Sequence, residues 1–339
     1  SDNKTVKSEE YQVNSVKRAG TNMVDLWTGH NRFIHEDGGF DNNLRLTLNI
    51  SHIYNYRHRN NIYIWTSRGQ KTPGLQTGVG WKLNVQQFVY PVANADVEYE
   101  DSLRYLYIDQ NGDEISFVES KKNRPVYDSS GNITAIEETE EYLDEQGKNL
   151  RCIPDGDEIR IVDNNGTTLY FYDNALYKIT DKSGDWIIIR RNGCGGNISE
   201  VYDSVGNMAI FQYDKNCRQL QRIEFSDGRE VQYLYDTTNR LIKIIDADGM
   251  EAEFSYRGAE LFVLTSVRRL EINYTNGRVT TLCDYASNRE ITPLGSVAFT
   301  AQDAGVSAFS INGKTFYEKE GKRLEIRYAE NRTTVITEN

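Results

Sequence analysis

Proline (5), cysteine (4), histidine (4) and methionine (3) are all scarce in this 339-residue chain. So few cysteines give no disulfide framework of the kind that staples small secreted domains. No Cys-x-x-Cys and no His-x-x-x-His occurs, so the usual zinc-ligand spacings are missing. No apolar run approaches the ~20 residues of a membrane helix, and no membrane span is expected. A Gly-x-Ser-x-Gly nucleophile elbow is absent. Basic residues are outnumbered 39 to 50 by acids and form no stripe, which argues against nucleic acid as a partner. Hydrophobic residues reach only 38%, below the globular norm of about 45 to 50%. Alternating β/α units are also missing, which excludes Rossmann and barrel enzymes.

What the chain does have is tyrosine (22), phenylalanine (12) and glycine (26). Large aromatic surfaces with a modest apolar total fit a thin-layered β structure in which much of the sheet is solvated. The net charge of −11 sits in one window. Residues 96–145 hold fifteen acids and four bases, and the remainder balances. Buried unpaired carboxylates cost several kcal/mol each, so this window is read as an exposed connection rather than a site. Asp109-Gln-Asn-Gly112 lacks the ligand ladder of an EF-hand loop.

The second half repeats. Gly166, Gly184, Gly206, Gly228 and Gly249 fall 18, 22, 22 and 21 residues apart. Four close an Asp-x-x-Gly, at Asp163, Asp181, Asp203 and Asp246; the fifth reads Phe225-Ser-Asp-Gly228. Apolar residues follow each Gly at +3 and +5, and an aromatic usually at +7: Val231, Tyr233 and Tyr235 after Gly228, Ala252, Phe254 and Tyr256 after Gly249. That is a strand with one packed face. A second short strand returns as Leu-x-x-Ile (Leu220/Ile223, Leu241/Ile244). Each unit of about 20 residues is therefore strand, turn, strand, turn, with Asp and Gly supplying the turn chemistry. One hairpin is barely stable in water, and stacked units bury the aromatic row. The spacing predicts consecutive antiparallel hairpins over 163–285, with Phe211, Tyr233 and Phe254 on one face.

Asp-x-x-Gly-x6-Tyr-Asp with Leu-x-x-Ile-x-Asp resembles the YD repeat of the Rhs proteins and their wall-associated relatives, over residues 163–285. Val24–Gly29, Leu44–Leu48, Tyr54–Asn55, Gly78–Trp81 and Tyr107–Phe117 are similar to the β-rich segment that precedes such repeats. The resemblance implies a segment of a large exported or surface protein of bacteria, extracellular or at the cell surface, with its export signal outside this chain. Its repeats would curl into a spiral sheet that encloses a toxic C-terminal domain or serves at the surface. The implied partner is the rest of the parent polypeptide or a C-terminal toxin or cargo domain. Two departures stand out. About five units are too few to close a hollow shell, and no Asp-Pro dipeptide of the family's self-cleavage signature occurs.

The chain divides into a polar leader (1–20), a β-rich, sandwich-like segment (21–120), the acidic connection (121–160), the repeat sheet (161–285) and a C-terminal β segment (286–339) that covers or extends the sheet. The sheet is expected to stay open, and Ile136–Leu143 is the one candidate helix. Among chemical groups, His30, His35, His52 and His58 fall within 29 residues, with Asp25 the best companion for His30. Arg32, Arg57 and Arg59 beside them favour core or surface histidines over a metal site. Cys152, Cys194, Cys217 and Cys283 are read as reduced thiols, although Cys194 and Cys217 lie 10 and 11 residues after their unit glycines, at nearly matching places. Gly193-Cys-Gly-Gly196 lacks the helix and Lys of a phosphate loop and is read as a turn. Tyr233, Tyr235 and Tyr256 obey the core alternation, which favours cross-strand packing over a sugar platform. The expectation is an all-β, non-catalytic scaffold with no catalytic, cofactor-binding or metal residues. A carbohydrate-binding or adhesive module, with cell-surface carbohydrate as partner, is the alternative.

Overall fold

The computed structural model describes residues 10–12, 20–25, 30–41, 44–93, 103–258, 260–265, 269–275, 278–285, 295–302, 306–311, 314–319, 322–328 and 332–334. They are all-β and antiparallel, with two single-turn 3-10 segments, Tyr56–His58 and Cys194–Gly196, as the helical content among them.

The first sheet has five strands in chain order: β1 (Glu10–Gln12), β2 (Thr21–Asp25), β3 (Asn31–Gly39), β4 (Asn49–Asn55) and β5 (Trp81–Leu83). A second, much longer ladder begins at β6 (Phe88–Pro91), inside the 21–120 segment. It runs through β7 (Leu103–Ile108), β8 (Glu114–Tyr127), β9 (Ile133–Asp144), β10 (Arg151–Asp155), β11 (Glu158–Val162), β12 (Thr168–Tyr172) and β13 (Ala175–Thr180). The repeats follow as β14 (Trp186–Arg190), β15 (Glu200–Asp203), β16 (Met208–Tyr213), β17 (Leu220–Phe225), β18 (Glu230–Tyr235), β19 (Leu241–Ile245), β20 (Glu251–Arg257) and β21 (Glu260–Thr265). Seven more strands, β22–β28, lie between Arg269 and Thr334. Each strand from β6 onward pairs with the next in sequence, so the described strands between Gly295 and Thr334 extend the sheet.

The expected open sheet is corrected by one long-range pairing. Ala175 of β13 pairs with Phe88 of β6, and two bonds flank that point: Val89 N–H to the Asn174 carbonyl (2.9 Å) and Leu176 N–H to the Gln87 carbonyl (3.0 Å). Strands β6–β13 thereby close into a barrel, and the ladder continues beyond it from β13. Closure satisfies backbone groups that an edge would leave unpaired. Local turn signals carry no information about a partner 87 residues away.

The turns repeat one chemistry. At Asp163, Asp181, Asp203 and Asp246 the carboxylate Oδ1 accepts the backbone N–H groups two and four residues on, at 2.8 to 3.1 Å. The glycine of each turn lies at φ +82 to +95°, where a side chain is strained. The opposite hairpin ends use the same device. Asp236 caps the N–H groups of Thr238 and Arg240, with Asn239 in the left-handed position (φ 63°). The register buries Ala209 and Phe211, Val231 and Tyr233, and Ala252 and Phe254 in one core. The +7 tyrosines then tie neighbouring strands: the hydroxyls of Tyr213, Tyr235 and Tyr256 donate to the carbonyls of Ile198 (2.8 Å), Leu220 (2.6 Å) and Leu241 (2.5 Å).

The acidic window is paired, not loose. β8 and β9 form a long hairpin whose register sets Lys121 opposite Glu140 and Arg124 opposite Glu137, so Ile136–Leu143 is strand rather than helix. The helix-favouring glutamates are overridden by the bases across the ladder, as in the Lys121–Glu138 pair (2.7 Å). The distal half is exposed, including Tyr127, Ile133 and Ile136.

Candidate functional site

Period two on β3 puts Phe33, His35 and Asp37 on one face, and all three are buried. β4 runs beside β3 with His52 opposite His35. The Asp37 carboxylate then collects three donors: His35 Nδ1 at 2.7 Å, His52 Nδ1 at 2.5 Å and the Tyr233 hydroxyl at 2.5 Å. Tyr233 comes from β18 of the long sheet, so the cluster joins the two sheets. Burial alone would raise the Asp37 carboxyl. The two imidazoles outweigh it through charge and hydrogen bonds, and hold it down at about 2. An ionised carboxylate can only accept, so each ring places its Nδ1 hydrogen on Asp37. His52 Nε2 is left buried without a hydrogen-bond partner.

A His–Asp pair is the base and orienter of a hydrolytic triad. Here the third member is a tyrosine that donates to the Asp, not a nucleophile facing the imidazole, and Asp37 and His52 are 1% and 0% exposed. The arrangement serves as a buried polar lock between sheets.

A second lock lies at the β7–β8 turn. Lys82, fully buried between Trp81 and Leu83, donates through Nζ to the carbonyls of Leu83 (2.8 Å) and Gln110 (2.6 Å). Burial lowers the Lys82 ammonium and raises the neighbouring Asp109 carboxyl, so both shift toward neutrality. Asp109 caps Asn111 and Asp113 at 2.9 Å each, the same turn as in the repeats rather than a calcium loop. Arg32 pairs with Asp113, Asn55 Nδ2 donates to the Asn111 carbonyl (3.0 Å), and His58 Nε2 bonds the Gly112 carbonyl (2.8 Å). Burial lowers the His58 imidazole to about 4, against the partial support of that carbonyl. Around both locks the sheets meet through aromatics: Phe33, Tyr54 and Trp81 pack on Phe254 and Tyr256, and Trp81 Nε1 donates to the Tyr256 hydroxyl (2.8 Å).

The histidines are thus divided. His35 and His52 serve Asp37, His58 serves the Gly112 turn, and His30 rests against the Tyr56 ring at 5.2 Å; the Asp25 side chain lies outside the described residues. Among the described residues no group of three His, Cys, Asp or Glu could hold a metal ion. Asp37 and Lys82 escaped the sequence reading, yet Asp37 carried a signal: Phe-x-His-x-Asp on one strand face places two polar groups in the core.

The cysteine expectation is corrected. Cys194 and Cys217 form a disulfide, with Cα atoms 5.7 Å apart. Their matching places in adjacent hairpins bring them within bonding range. Cys217 fills the left-handed position (φ 56°) of the Asp214 turn. Closing this 23-residue interval contributes about 3 kcal/mol through the unfolded chain. Cys152 is free and buried. Gly193–Gly196 is a turn leading into strand β15, not a phosphate loop.

No protein-family model matches the chain, and no curated protein matches it. Solved structures similar to it include the TcdB2–TccC3–Cdc42 complex, at 9% identity and a TM-score of 0.33 over 85% of this chain and 17% of that one. TcdB2–TccC3 without its hypervariable C-terminal region gives 10% and 0.33, over 88% and 18%. The Tc holotoxin pore of Photorhabdus luminescens gives 10% and 0.24, over 91% and 22%. The chain therefore spans less than a quarter of the length of each of these, and likeness at this level assigns it to no family.

Proposed function

We propose that the chain is a non-catalytic structural segment of a larger exported or cell-surface protein, its repeats winding as a YD-type spiral sheet that walls in another part of the parent polypeptide. The observation that carries this reading is the Asp37 lock. A charged, hydrogen-bonded cluster that resembles catalytic machinery is sealed in the core, and its carboxylate is taken up by two imidazoles of its own sheet and by the Tyr233 hydroxyl of the other. The uninterrupted ladder beyond it and the Tyr-to-carbonyl ties between strands support the same reading. The Cys194–Cys217 disulfide supports an oxidising, extracellular setting. A screen of the intact chain against glycosidase and peptidase substrates, beside His52→Gln, tests it. No turnover in either protein is expected, and turnover abolished in a folded His52→Gln would establish an enzyme.

In the carbohydrate alternative, the repeat tyrosines are already engaged with backbone carbonyls, so sugars would stack on exposed aromatics such as Trp65. A glycan array with Trp65→Ala as control separates the two readings.

A further inference from the structure

The repeat breaks its own rule at two positions, with Asp173 at +7 after Gly166 and a basic residue after Gly184. The +7 residue after Gly206, Gly228 and Gly249 is tyrosine, and each hydroxyl reaches a carbonyl fifteen residues back. After Gly184 the same place is Arg191. Beside it lies a cavity of about 690 Å³, within the range of small-molecule sites. Its walls are mainly apolar (Pro73, Leu75, Phe88, Ile189, Ile198), and one side is formed by Gly195 and Gly196. Gly196 has no heavy atom within 4 Å of where a Cβ would stand, so the missing side chain leaves space. The disulfide at Cys194 pins this glycine turn to the next hairpin.

Arg191 is a cation without an anion. Its Nε and Nη2 atoms are shielded from solvent and have no hydrogen-bond partner, and its guanidinium lies 5.6 Å from the centre of the Phe88 ring. Burial draws its ordinarily high pKa down to about 10, while the Tyr213 and Tyr90 phenols partly offset this. The one acid on the cavity wall, Asp173, is exposed and forms no ion pair with it among the described residues. Arg191 is half-buried, and a cation with two shielded, unanswered donors is favoured by a counter-ion. A guanidinium takes a carboxylate through two parallel bonds, a fork that an ammonium lacks. One cation suits a monoanion, and the walls suit an apolar body.

We propose that this cavity is a binding site for a small monoanionic carboxylate, whose aromatic or branched body fills the space between Leu75, Phe88 and Ile189 while its carboxylate pairs with the guanidinium of Arg191 on the cavity wall.

The test is calorimetric titration of the intact, disulfide-bonded chain with 3-phenylpropionate and its neutral amide, then with phenyl phosphate. The carboxylate should bind with a Kd between roughly micromolar and millimolar, at least about tenfold tighter than the amide. Arg191→Met should bring the acid down to the level of the amide while the melting temperature changes little, because no hydrogen bond or ion pair is lost and the thioether still packs on Phe88. Arg191→Lys keeps the charge without the fork and should fall between. Equal binding of acid and amide to the native chain, or no binding up to ~5 mM, would overturn the site even if the variants failed to fold. Tighter binding of the phosphate would overturn the carboxylate assignment. A short peptide ending in a free phenylalanine carboxylate should bind more weakly than 3-phenylpropionate; tighter binding, lost on amidation, would make the site a chain-terminus receptor and overturn the small-molecule reading.

Discussion

Asp37 takes three donors with two oxygens, and an amide in its place offers one. Asp37→Asn should therefore leave His35, His52 or Tyr233 with an unanswered hydrogen and cost about 3 kcal/mol in urea denaturation, in the range for breaking buried charged pairs. An unchanged urea midpoint would show that the cluster is not a lock. His58 gives the complementary pH signature. Its folded-state pKa is lowered to about 4, so between the ordinary imidazole value near 6.5 and about 4 the unfolded chain binds the proton that the folded chain refuses. Stability from this group is thus present above about 6.5 and falls as the pH drops to about 4, a loss of about 3 kcal/mol. His58→Gln keeps an N–H donor for the Gly112 carbonyl and does not titrate. Its stability should be flatter than wild type across that window, and parallel profiles would assign the acid sensitivity elsewhere.

At the scale of the hairpin, a local rule was readable because local groups enforce it. The Asp carboxylates cap their own turns, and the glycines hold a φ that other residues resist, so period and register followed from spacing alone. The rule can be tested position by position. Gly249 has open space around its missing Cβ, so Gly249→Ala should cost about 1 to 2 kcal/mol through backbone strain alone. Asn239 already occupies the same conformation at the far turn, so Asn239→Gly should change stability by less than about 0.5 kcal/mol. Equal effects would mean that left-handed geometry does not choose these residues. The tyrosine ties should rank by what else they hold. Tyr213→Phe removes one hydrogen bond, about 1 kcal/mol, whereas Tyr256→Phe also strips the acceptor from Trp81 Nε1 and should cost more in the same urea titration. The acidic strand β9 was harder to read. Its glutamates favour helix in isolation, and its pairing with β8, whose bases face them across the ladder, and with β10 makes it a strand.

The whole molecule depends on contacts that no local pattern announces. Closure of the barrel rests on Phe88 meeting Ala175, and the first sheet docks on the repeats through residues some 175 to 200 positions apart, such as Trp81 with Tyr256 and Asp37 with Tyr233. The candidate site was hidden for the same reason: His35 and His52 were visible as histidines, but Tyr233 lies on a distant repeat and completes the cluster only in space. One core runs from Phe33 to Val263 across both sheets, so the first sheet and the repeats should unfold together. Trp81 is the residue to probe, because it is almost fully buried and touches Phe33, Tyr54, His52 and Phe254. Trp81→Ala should cost about 3 to 5 kcal/mol, while exposed Val205→Ser should cost little. In hydrogen exchange followed by mass spectrometry, the Trp81 variant should lose protection in β4 and β5 and in β18 to β20 by the same factor, because one opening event exposes both sides of a shared core. Loss confined to β4 and β5, with β18 to β20 still protected, would show that the repeats stand without the sheet packed on them.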